Sequence, residues 1–450
     1  MTERLVVVGG DAAGMSAASQ ARRRRPPEQL EIIAFERGRY TSYSACGIPY
    51  YIGGVVDDVA RLITRSPEAH RARDIDVRLE HEVIGIDLDA RTVRVRHEET
   101  EHDEPFDHLM IGTGATPVRP PLEGIDADGI FGVQTLTDGI AVRSYVDEQH
   151  VARAVVVGGG YIGLEMAEAF AARGIDTSVI EMASQPMSTL DPDMGEHVAR
   201  AIRNAGITLH VGEAVNGFET RNGRVTSVVT AARELQADVV VLGLGVKPNV
   251  KLAEAAGLTI GETGGIVVDD RMRTSAEGVW AGGDCVETYH RISRSPVAIA
   301  LGTHANKQGR TAGTNITGGA ARFGGVLGTA ITKVCDAEIG RTGLGLEDAL
   351  AGGSEAVSAA VRSRTRAAYY PGSARTHLKV IADRREGRLL GAQIVGGEGS
   401  AKRIDVFAVA LWNEMTVHEL AGADLSYAPP FSPVWDPVLY AARTLSEQLS

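Results

Sequence analysis

A strand, a glycine-rich turn and a helix occur in that order twice in the chain, and this repeat restricts the fold more than any other feature. The first copy runs from RLVVVG at residues 4–9 through DAAGMSAASQARRRR to LEIIAFE at 30–36. The second runs from AVVVGGG at 154–160 through YIGLEMAEAFAARG to DTSVIE. A duplicated strand–helix–strand unit is typical of two dinucleotide-binding folds in one chain. The sequence therefore predicts an α/β protein with two Rossmann-like domains.

The first turn has the glycine spacing of a dinucleotide site, with one substitution. Gly9 and Gly14 occupy the outer positions of G-x-G-x-x-G, and Asp11 replaces the middle glycine. The next strand ends in Glu36, where a carboxylate can accept hydrogen bonds from a ribose. The order of strand, turn, helix and acid predicts a nucleotide site even though the fingerprint is incomplete.

The second turn carries the complete fingerprint, Gly158, Gly160 and Gly163, and its next strand ends in Glu181. A carboxylate at that place accepts hydrogen bonds from the adenine ribose hydroxyls and repels a 2′-phosphate. This turn therefore predicts a site that prefers NADH to NADPH.

A single cysteine follows the first unit, in the segment YTSYSACGIPYYIGG. A dithiol centre would need a second cysteine about five residues from Cys46, but residues 41 and 51 are Thr and Tyr. Cys285 and Cys335 lie far away in the sequence. Thiol chemistry at Cys46 would therefore involve a sulfur atom from outside the chain. The helix start at Cys46-Gly47-Ile48-Pro49 predicts a lowered thiol pKa.

Composition excludes several other classes of protein. The formal net charge of -12 argues against general binding of nucleic acid. Three cysteines in 450 residues indicate a reducing compartment, and no apolar run reaches the roughly 18 residues of a membrane-spanning helix. We therefore expect a cytoplasmic protein with no membrane partner. The histidines show no metal-ligand spacing, so no metal site is predicted.

The chain divides into four segments. Residues 1–115 and 246–322 are expected to form one nucleotide-binding domain in two parts, because TSAEGVWAGGDC returns to the pattern of the first unit. Residues 116–245 form the second such domain. Residues 323–450 differ in texture: HLKVIAD, RLLGAQIVG and IGRTGL indicate antiparallel strands, and AKRIDVFAVALWNEM indicates an amphipathic helix. The tail is therefore predicted to be a separate α+β domain.

This arrangement resembles the FAD-dependent pyridine nucleotide-disulfide oxidoreductases over the whole chain. The segment YSACGIPYYIGG is similar to their single-cysteine branch, in particular to coenzyme A-disulfide reductases, polysulfide reductases and NADH oxidases. The resemblance implies FAD at the first turn, NADH at the second with NADPH as the alternative, and a C-terminal dimerisation domain. It also implies a homodimer with shared active sites and a small-molecule disulfide or sulfur substrate.

The resemblance also implies roles for individual residues. The catalytic residues would be Cys46, Tyr369 and Tyr427, with both tyrosines lent to the partner subunit's site. Asp284, at the end of a strand expected in TSAEGVWAGGD, would bind the FAD ribitol, and a helix starting at about Val297 would point its N-terminus at the flavin. Coenzyme A contacts would be Ser16, Gln20, Arg23 and Ser42. The cofactor-binding residues would be Gly9, Gly14, Glu36, Ser42, Thr113, Gly114, Gly158, Gly160, Tyr161, Gly163, Glu165, Glu181, Gly245, Asp284 and Ala300.

Two departures from the family pattern bear on the substrate. The related NADH oxidases and peroxidases carry a histidine where this chain has Ala12, which favours a thiol or sulfur substrate. Two places where a lysine would meet coenzyme A phosphate are Asp74 and Trp435, although Arg71 or Arg73 can supply a cation instead. The expected activity is reduction of a disulfide, persulfide or polysulfide through Cys46. The alternative is an NADH oxidase that reduces O2 at the flavin.

Overall fold

The computed structural model describes residues 2–449. Its first sheet is a five-stranded parallel sheet that joins the two ends of the nucleotide-binding region. In spatial order, its strands are Val279–Ala281, His108–Ile111, Glu3–Val8, Leu30–Glu36 and Asp76–Leu79.

Both faces of this sheet are covered, which explains its near-continuous apolar strands. Leu5 and Val7 pack against the helices Ala12–Arg24 and Gly302–Ile316. Val6 and Val8 face the other side, where three antiparallel strands supply a second layer. Those strands are Glu82–Asp87, Thr92–His97 and Thr100–Pro105.

A second five-stranded parallel sheet repeats this plan. Its strands in spatial order are Thr208–Val211, Asp176–Glu181, Arg153–Val157, Val239–Leu242 and Ile130–Gly132. One face packs against helices Leu136–Glu148, Tyr161–Ala172 and Pro192–Asn204. The other face is covered by antiparallel strands Val215–Arg221, Arg224–Thr230 and Glu234–Gln236.

The tail is an α+β unit, as its sequence predicts. Its five antiparallel strands in spatial order are Ala330–Val334, Ala337–Gly343, Leu389–Gly396, Arg375–Asp383 and Ala356–Arg364. They pack with helices Leu346–Ala351, Ile404–Trp412, Val417–Ala421 and Pro437–Leu449. The helix Ile404–Trp412 is shorter than the amphipathic segment AKRIDVFAVALWNEM, because the first residues of that segment form a 3-10 turn at Ala401–Arg403.

Short elements connect these layers. One antiparallel pair, Ala115–Pro117 with Val246–Pro248, links distant segments. A second pair, Thr288–Tyr289 with Pro296–Val297, is a local hairpin. The short helices and 3-10 turns are Ala45–Gly47, Ile48–Ile52, Val59–Leu62, Pro67–Arg71 and Lys251–Ala255.

Two sequence-based boundaries were wrong. The helix expected directly after Val297 begins at Gly302, because Pro296 and Val297 are paired in a strand. The strand expected to end in Asp284 ends at Ala281, and Gly283, with a φ of 89°, turns the chain before the aspartate. Among residues 2–449, no helix is long and apolar enough to span a membrane.

Candidate active site

The first glycine-rich turn is held by backbone contacts that only glycine allows. Gly9 has a φ of 105°, and a Cβ added there would lie 2.1 Å from the carbonyl oxygen of Gly112. A Cβ on Gly14 would lie 2.0 Å from the carbonyl oxygen of Gly9. The helix therefore begins directly against the strand end, which leaves its first amide groups facing the turn.

Glu36 closes this turn from the neighbouring strand. Its carboxylate accepts hydrogen bonds from the backbone amides of Gly10 at 2.8 Å and Gly38 at 2.7 Å. Farther along the same edge, the Thr113 hydroxyl donates to the Asn249 carbonyl at 2.6 Å, and Gly114 has a φ of 67°. The cofactor-site residues predicted from both parts of the first domain therefore lie along one sheet edge.

Two further acids at this edge have unusual environments. Burial, reinforced by the Glu36 charge, raises the pKa of Asp11 to about 7, although the nearby backbone of Tyr43 and Ala12 acts in the opposite direction. Burial raises the pKa of Asp284 to about 6. Ala300 lies in the exposed loop just before the helix Gly302–Ile316. The glycine cradle and the acid on the neighbouring strand fit an adenine dinucleotide such as FAD.

The second turn has the same construction. Gly158 has a φ of 108°, and a Cβ on Gly163 would lie 1.9 Å from the Gly158 carbonyl oxygen. The Glu181 carboxylate accepts from the amides of Gly159 at 2.6 Å and Ala183 at 2.7 Å. Nothing lies within 4 Å of a Cβ added to Gly160, so the mouth of the turn is open. The turn therefore fits a second dinucleotide.

The helix that starts at this turn carries two predicted residues, Tyr161 and Glu165. Burial raises the pKa of Tyr161, and the nearby Arg341 charge and Thr189 side chain partly offset this increase. Burial also raises the pKa of Glu165, and the Thr332 hydroxyl from the tail sheet donates to its carboxylate at 2.9 Å. Gly245, with a φ of 83°, turns the chain after strand Val239–Leu242 of this domain.

Cys46 lies in the 3-10 turn Ala45–Gly47, immediately before the short helix Ile48–Ile52. Its residue surface is exposed, whereas Cys285 is buried. The predicted lowering of the thiol pKa is wrong in this structure: burial of the sulfur and the charge of Glu165 raise it. A helix of five residues has too small a dipole to outweigh nearby carboxylates.

Three predicted substrate contacts share one face of the first helix. Ser16, Gln20 and Arg23 follow an i, i+4, i+7 spacing. Ser16 donates to the Asn306 side chain at 2.7 Å, and the Arg23 guanidinium donates to the Gln20 side chain at 3.3 Å. Gln20 also bonds to the Thr314 hydroxyl at 3.0 Å.

Ser42 leads to residues that sequence reasoning missed. With a φ of 49°, it places its hydroxyl 2.9 Å from Nε2 of His70, which is fully buried. Burial, together with the charges of Arg65 and Arg73, lowers the His70 pKa to about 4. Arg65 also reaches the Ser19 hydroxyl at 3.4 Å, which brings a cation to the helix face that carries Ser16 and Gln20. No local sequence pattern identifies His70, because its hydrogen-bond partner Ser42 lies 28 residues earlier in the chain.

The structure also shows the surroundings of the two alternative cations, Arg71 and Arg73, and of the two tail tyrosines. Arg71 donates to Glu68 at 3.4 Å and to the Val77 carbonyl at 3.3 Å, whereas the charge of Arg73 acts on His70. Tyr369 and Tyr427 lie close to each other, and their exposed fractions are 77% and 47%. Within residues 2–449, no hydrogen bond joins either tyrosine to Cys46 of the same chain.

An apolar surface surrounds the two tyrosines. Its exposed side chains are Tyr370, Phe431, Val434 and Trp435. The Arg443 guanidinium lies 4.6 Å from the Trp435 ring centroid, so a stacked aromatic occupies the place where a lysine was expected. An exposed aromatic cluster of this kind is characteristic of a protein interface.

Comparison with known proteins identifies the family. Residues 3–309 match the family described as pyridine nucleotide-disulphide oxidoreductase, and residues 329–437 match its dimerisation domain. The chain is 41% identical over 443 residues to an NAD(P)H sulfur oxidoreductase (CoA-dependent) of Pyrococcus abyssi, covering 98% of each protein. It is 37% identical over 450 residues to an NADH oxidase of Methanocaldococcus jannaschii, covering 99% of each.

A solved structure agrees with these matches. The NAD-dependent persulfide reductase from A. fulgidus superposes with a TM-score of 0.96 at 39% identity, covering 99% of this chain and 83% of that one. The two sheets, the two glycine turns and the antiparallel tail are therefore those of a known architecture. The chain belongs to the FAD-dependent, NAD(P)H-using pyridine nucleotide-disulphide oxidoreductase family.

Proposed function

We propose that the protein is an NAD(P)H-dependent reductase of disulfide, persulfide or polysulfide sulfur that works through Cys46. The observation that carries this proposal is an exposed, unpaired thiol whose electrostatic environment includes Glu165, Asp284 and Asp11. Those residues belong to the two dinucleotide sites, so the sulfur stands where both meet. Bound FAD supplies the route by which two electrons from the nicotinamide reach that sulfur.

The chain's own part in the reaction is to hold one half of the substrate. Cys46 attacks one sulfur of R–S–S–R′, a Cys46–S–S–R bond forms, and R′S⁻ leaves. Two electrons and one proton then restore the Cys46 thiol and release RS⁻. Because the Cys46 pKa is raised in the chain alone, a base or the bound cofactor must favour the thiolate before attack.

A hydrogen-bond donor stabilises each leaving thiolate, and we assign this role to the tail tyrosines. Tyr427 and Tyr369 lie close to each other on an exposed aromatic surface of the dimerisation domain. In a two-fold dimer each tail could present this pair to the partner subunit's Cys46, so each active site would be shared.

The substrate contacts favour a phosphate-bearing thiol such as coenzyme A. Arg23 and Arg65 reach the helix face that carries Ser16 and Gln20, and Arg73 lies near buried His70. Guanidinium groups bind phosphate through paired N–H donors, so they can replace the lysines that the family would place at Asp74 and Trp435. Coenzyme A disulfide and coenzyme A persulfide are therefore the first substrates to test.

NADH oxidase activity is the second candidate, because a relative with 37% identity carries that name. The two functions differ in their need for the thiol. Reduction of a disulfide requires Cys46, whereas direct reduction of O2 at the flavin does not.

A panel of acceptors decides between them. Wild type and Cys46→Ser would be compared with coenzyme A disulfide, polysulfide, glutathione disulfide and O2, with NADH as donor. We expect Cys46→Ser to lose reduction of every sulfur acceptor and to retain flavin reduction by NADH. Unchanged turnover of O2 in the variant, with no sulfur reduction in wild type, would establish the oxidase instead.

A further inference from the structure

The short helix that follows Cys46 is attached to the NAD(P)H-binding domain, although by sequence it belongs to the FAD-binding segment. Ile48 and Ile52 are 1% and 0% exposed and share one apolar cluster with Leu136, Val142 and Phe170. The contact is close: a Cβ on Gly139 would lie 2.5 Å from Cγ2 of Ile48. The helix therefore rests on the second domain.

Two arginines from that domain cap the far end of this helix. The Arg143 guanidinium donates to the Tyr51 carbonyl at 2.6 Å, and the Arg173 guanidinium donates to the Ile52 carbonyl at 3.0 Å. Asp147 bonds to both arginines and holds them side by side. The final carbonyls of a helix lack partners within it, and cations there also complement its dipole.

These two capping hydrogen bonds are important because a helix this short is not stable on its own. It has five residues, well below the length at which an isolated helix is stable. Its position is therefore set by the apolar contact and the two guanidinium groups. Arg143 and Arg173 are only 24% and 21% exposed, so water competes weakly for these hydrogen bonds.

One arginine also connects the thiol to the nucleotide turn. The helix Tyr161–Ala172 begins at the second glycine-rich turn, and Arg173 directly follows its last residue. Its start faces the predicted NAD(P)H phosphates, and its end is tied to the Ile52 carbonyl. A rigid helix of 12 residues thus runs from the second dinucleotide site to the segment that carries Cys46.

We propose that Arg143 and Arg173 are positioning residues for Cys46, fixing the thiol to the domain that binds the reductant. The inference rests on the proposed function only in taking Cys46 as the reacting thiol. It does not depend on which acceptor is used. Neither arginine needs to touch substrate, so loss of both should affect the thiol step selectively.

The test uses the FAD-loaded enzyme with Arg143→Ala/Arg173→Ala and three measurements. Stopped-flow kinetics give the rates of flavin reduction by NADH and of flavin reoxidation by coenzyme A disulfide. Peptide mass spectrometry gives the pH profile of Cys46 alkylation by iodoacetamide, with partly exposed Cys335 as the internal reference. Arg153→Ala is the matched control, because Arg153 pairs with Asp238 in the same domain at 3.0 Å.

We expect the double variant to reoxidise roughly 10- to 100-fold more slowly, since small displacements of a reacting group have effects of this size. Flavin reduction by NADH should change by less than about twofold, because the NADH turn itself is intact. Cys46 alkylation should become faster, with a pH profile closer to that of an ordinary cysteine. Arg143→Lys/Arg173→Lys, which keeps a cationic donor at each carbonyl, should recover most of the loss.

Two results would overturn the proposal: reoxidation and alkylation within twofold of wild type, or equal loss of both half-reactions with no rescue by lysine. If the double alanine variant does not fold, Asp147→Asn provides the same test, because it removes the charge that aligns the two guanidinium groups. The alkylation profile is read on Cys46 itself, so it remains informative if no sulfur acceptor is reduced.

Discussion

The two glycine-rich turns are built on one backbone plan, yet they differ at the middle position of the fingerprint. The carboxylates of Glu36 and Glu181 each accept hydrogen bonds from two backbone amides. One amide lies within the glycine-rich turn, and the other lies two residues after the acid. The middle position is Asp11 in the first turn and Gly160 in the second. Asp11 is largely withdrawn from solvent, whereas the space at Gly160 is open. The shared plan sets where a nucleotide can bind, and the middle residue sets the charge beside it.

The largest expected effect comes from substituting the last glycine of each fingerprint, which is packed in nearly the same way in both turns. A Cβ on Gly14 or Gly163 would lie 2.0 or 1.9 Å from a backbone oxygen, so alanine forces the helix away from the strand. Each substitution should cost about 2–3 kcal/mol of stability. Gly14→Ala should yield protein without FAD, and Gly163→Ala should bind FAD but be reduced slowly by NADH.

Flavin absorbance per chain and stopped-flow reduction measure these effects. Gly160→Ala is the control for stability, because its Cβ would meet no atom within 4 Å. A Gly163→Ala protein that lacks flavin, or a Gly14→Ala protein with normal flavin content, would show that the two turns do not serve separate cofactors.

A second pair of variants separates the two acids. Glu181→Arg should raise the ratio of kcat/KM for NADPH over NADH by about 10- to 100-fold. The reason is that a guanidinium attracts the 2′-phosphate of NADPH, whereas the carboxylate repels it. Glu181→Gln should shift it less, since it removes the charge and keeps an acceptor for the Gly159 amide. Glu36→Gln should weaken FAD retention and leave the nucleotide preference unchanged.

Steady-state kinetics with both donors give this comparison. Equal wild-type efficiency with NADH and NADPH would mean that Glu181 does not meet the ribose. A changed preference in Glu36→Gln would mean that the two sites are not independent.

Periodicity and glycine spacing predicted the two parallel sheets and the antiparallel tail because both depend on local sequence. The interactions around Cys46 depend on distant residues instead. Arg143 is 92 positions from its acceptor at Tyr51, and Arg173 is 121 from Ile52. The thiol pKa was mispredicted for the same reason: the helix start is visible in the sequence, but the burial of the sulfur and the nearby Glu165 charge are not. Domain boundaries and the roles of the individual site residues remain predictions.

The smallest expected effect tests the middle position itself. The folded pKa of Asp11 is about 7 against an ordinary value of 3.8, so the folded chain holds this proton when the unfolded chain has lost it. The contribution of Asp11 to the stability of the folded chain is therefore complete below about pH 4 and is lost as the pH rises towards 7. Asp284, with a pKa of about 6, acts in the same direction.

Asp11→Asn should remove this loss, so the Tm of the flavin-free variant should exceed that of wild type by about 1–3 °C at pH 8 and match it near pH 4. Gly160→Asp places the same side chain in the second turn, where open space leaves its charge hydrated, so it should produce no such pH dependence. Thermal unfolding from pH 4 to 8 measures all three proteins. A parallel pH dependence in Asp11→Asn and wild type would show that Asp11 ionises normally, and a new dependence in Gly160→Asp would show that the two turns are equally enclosed.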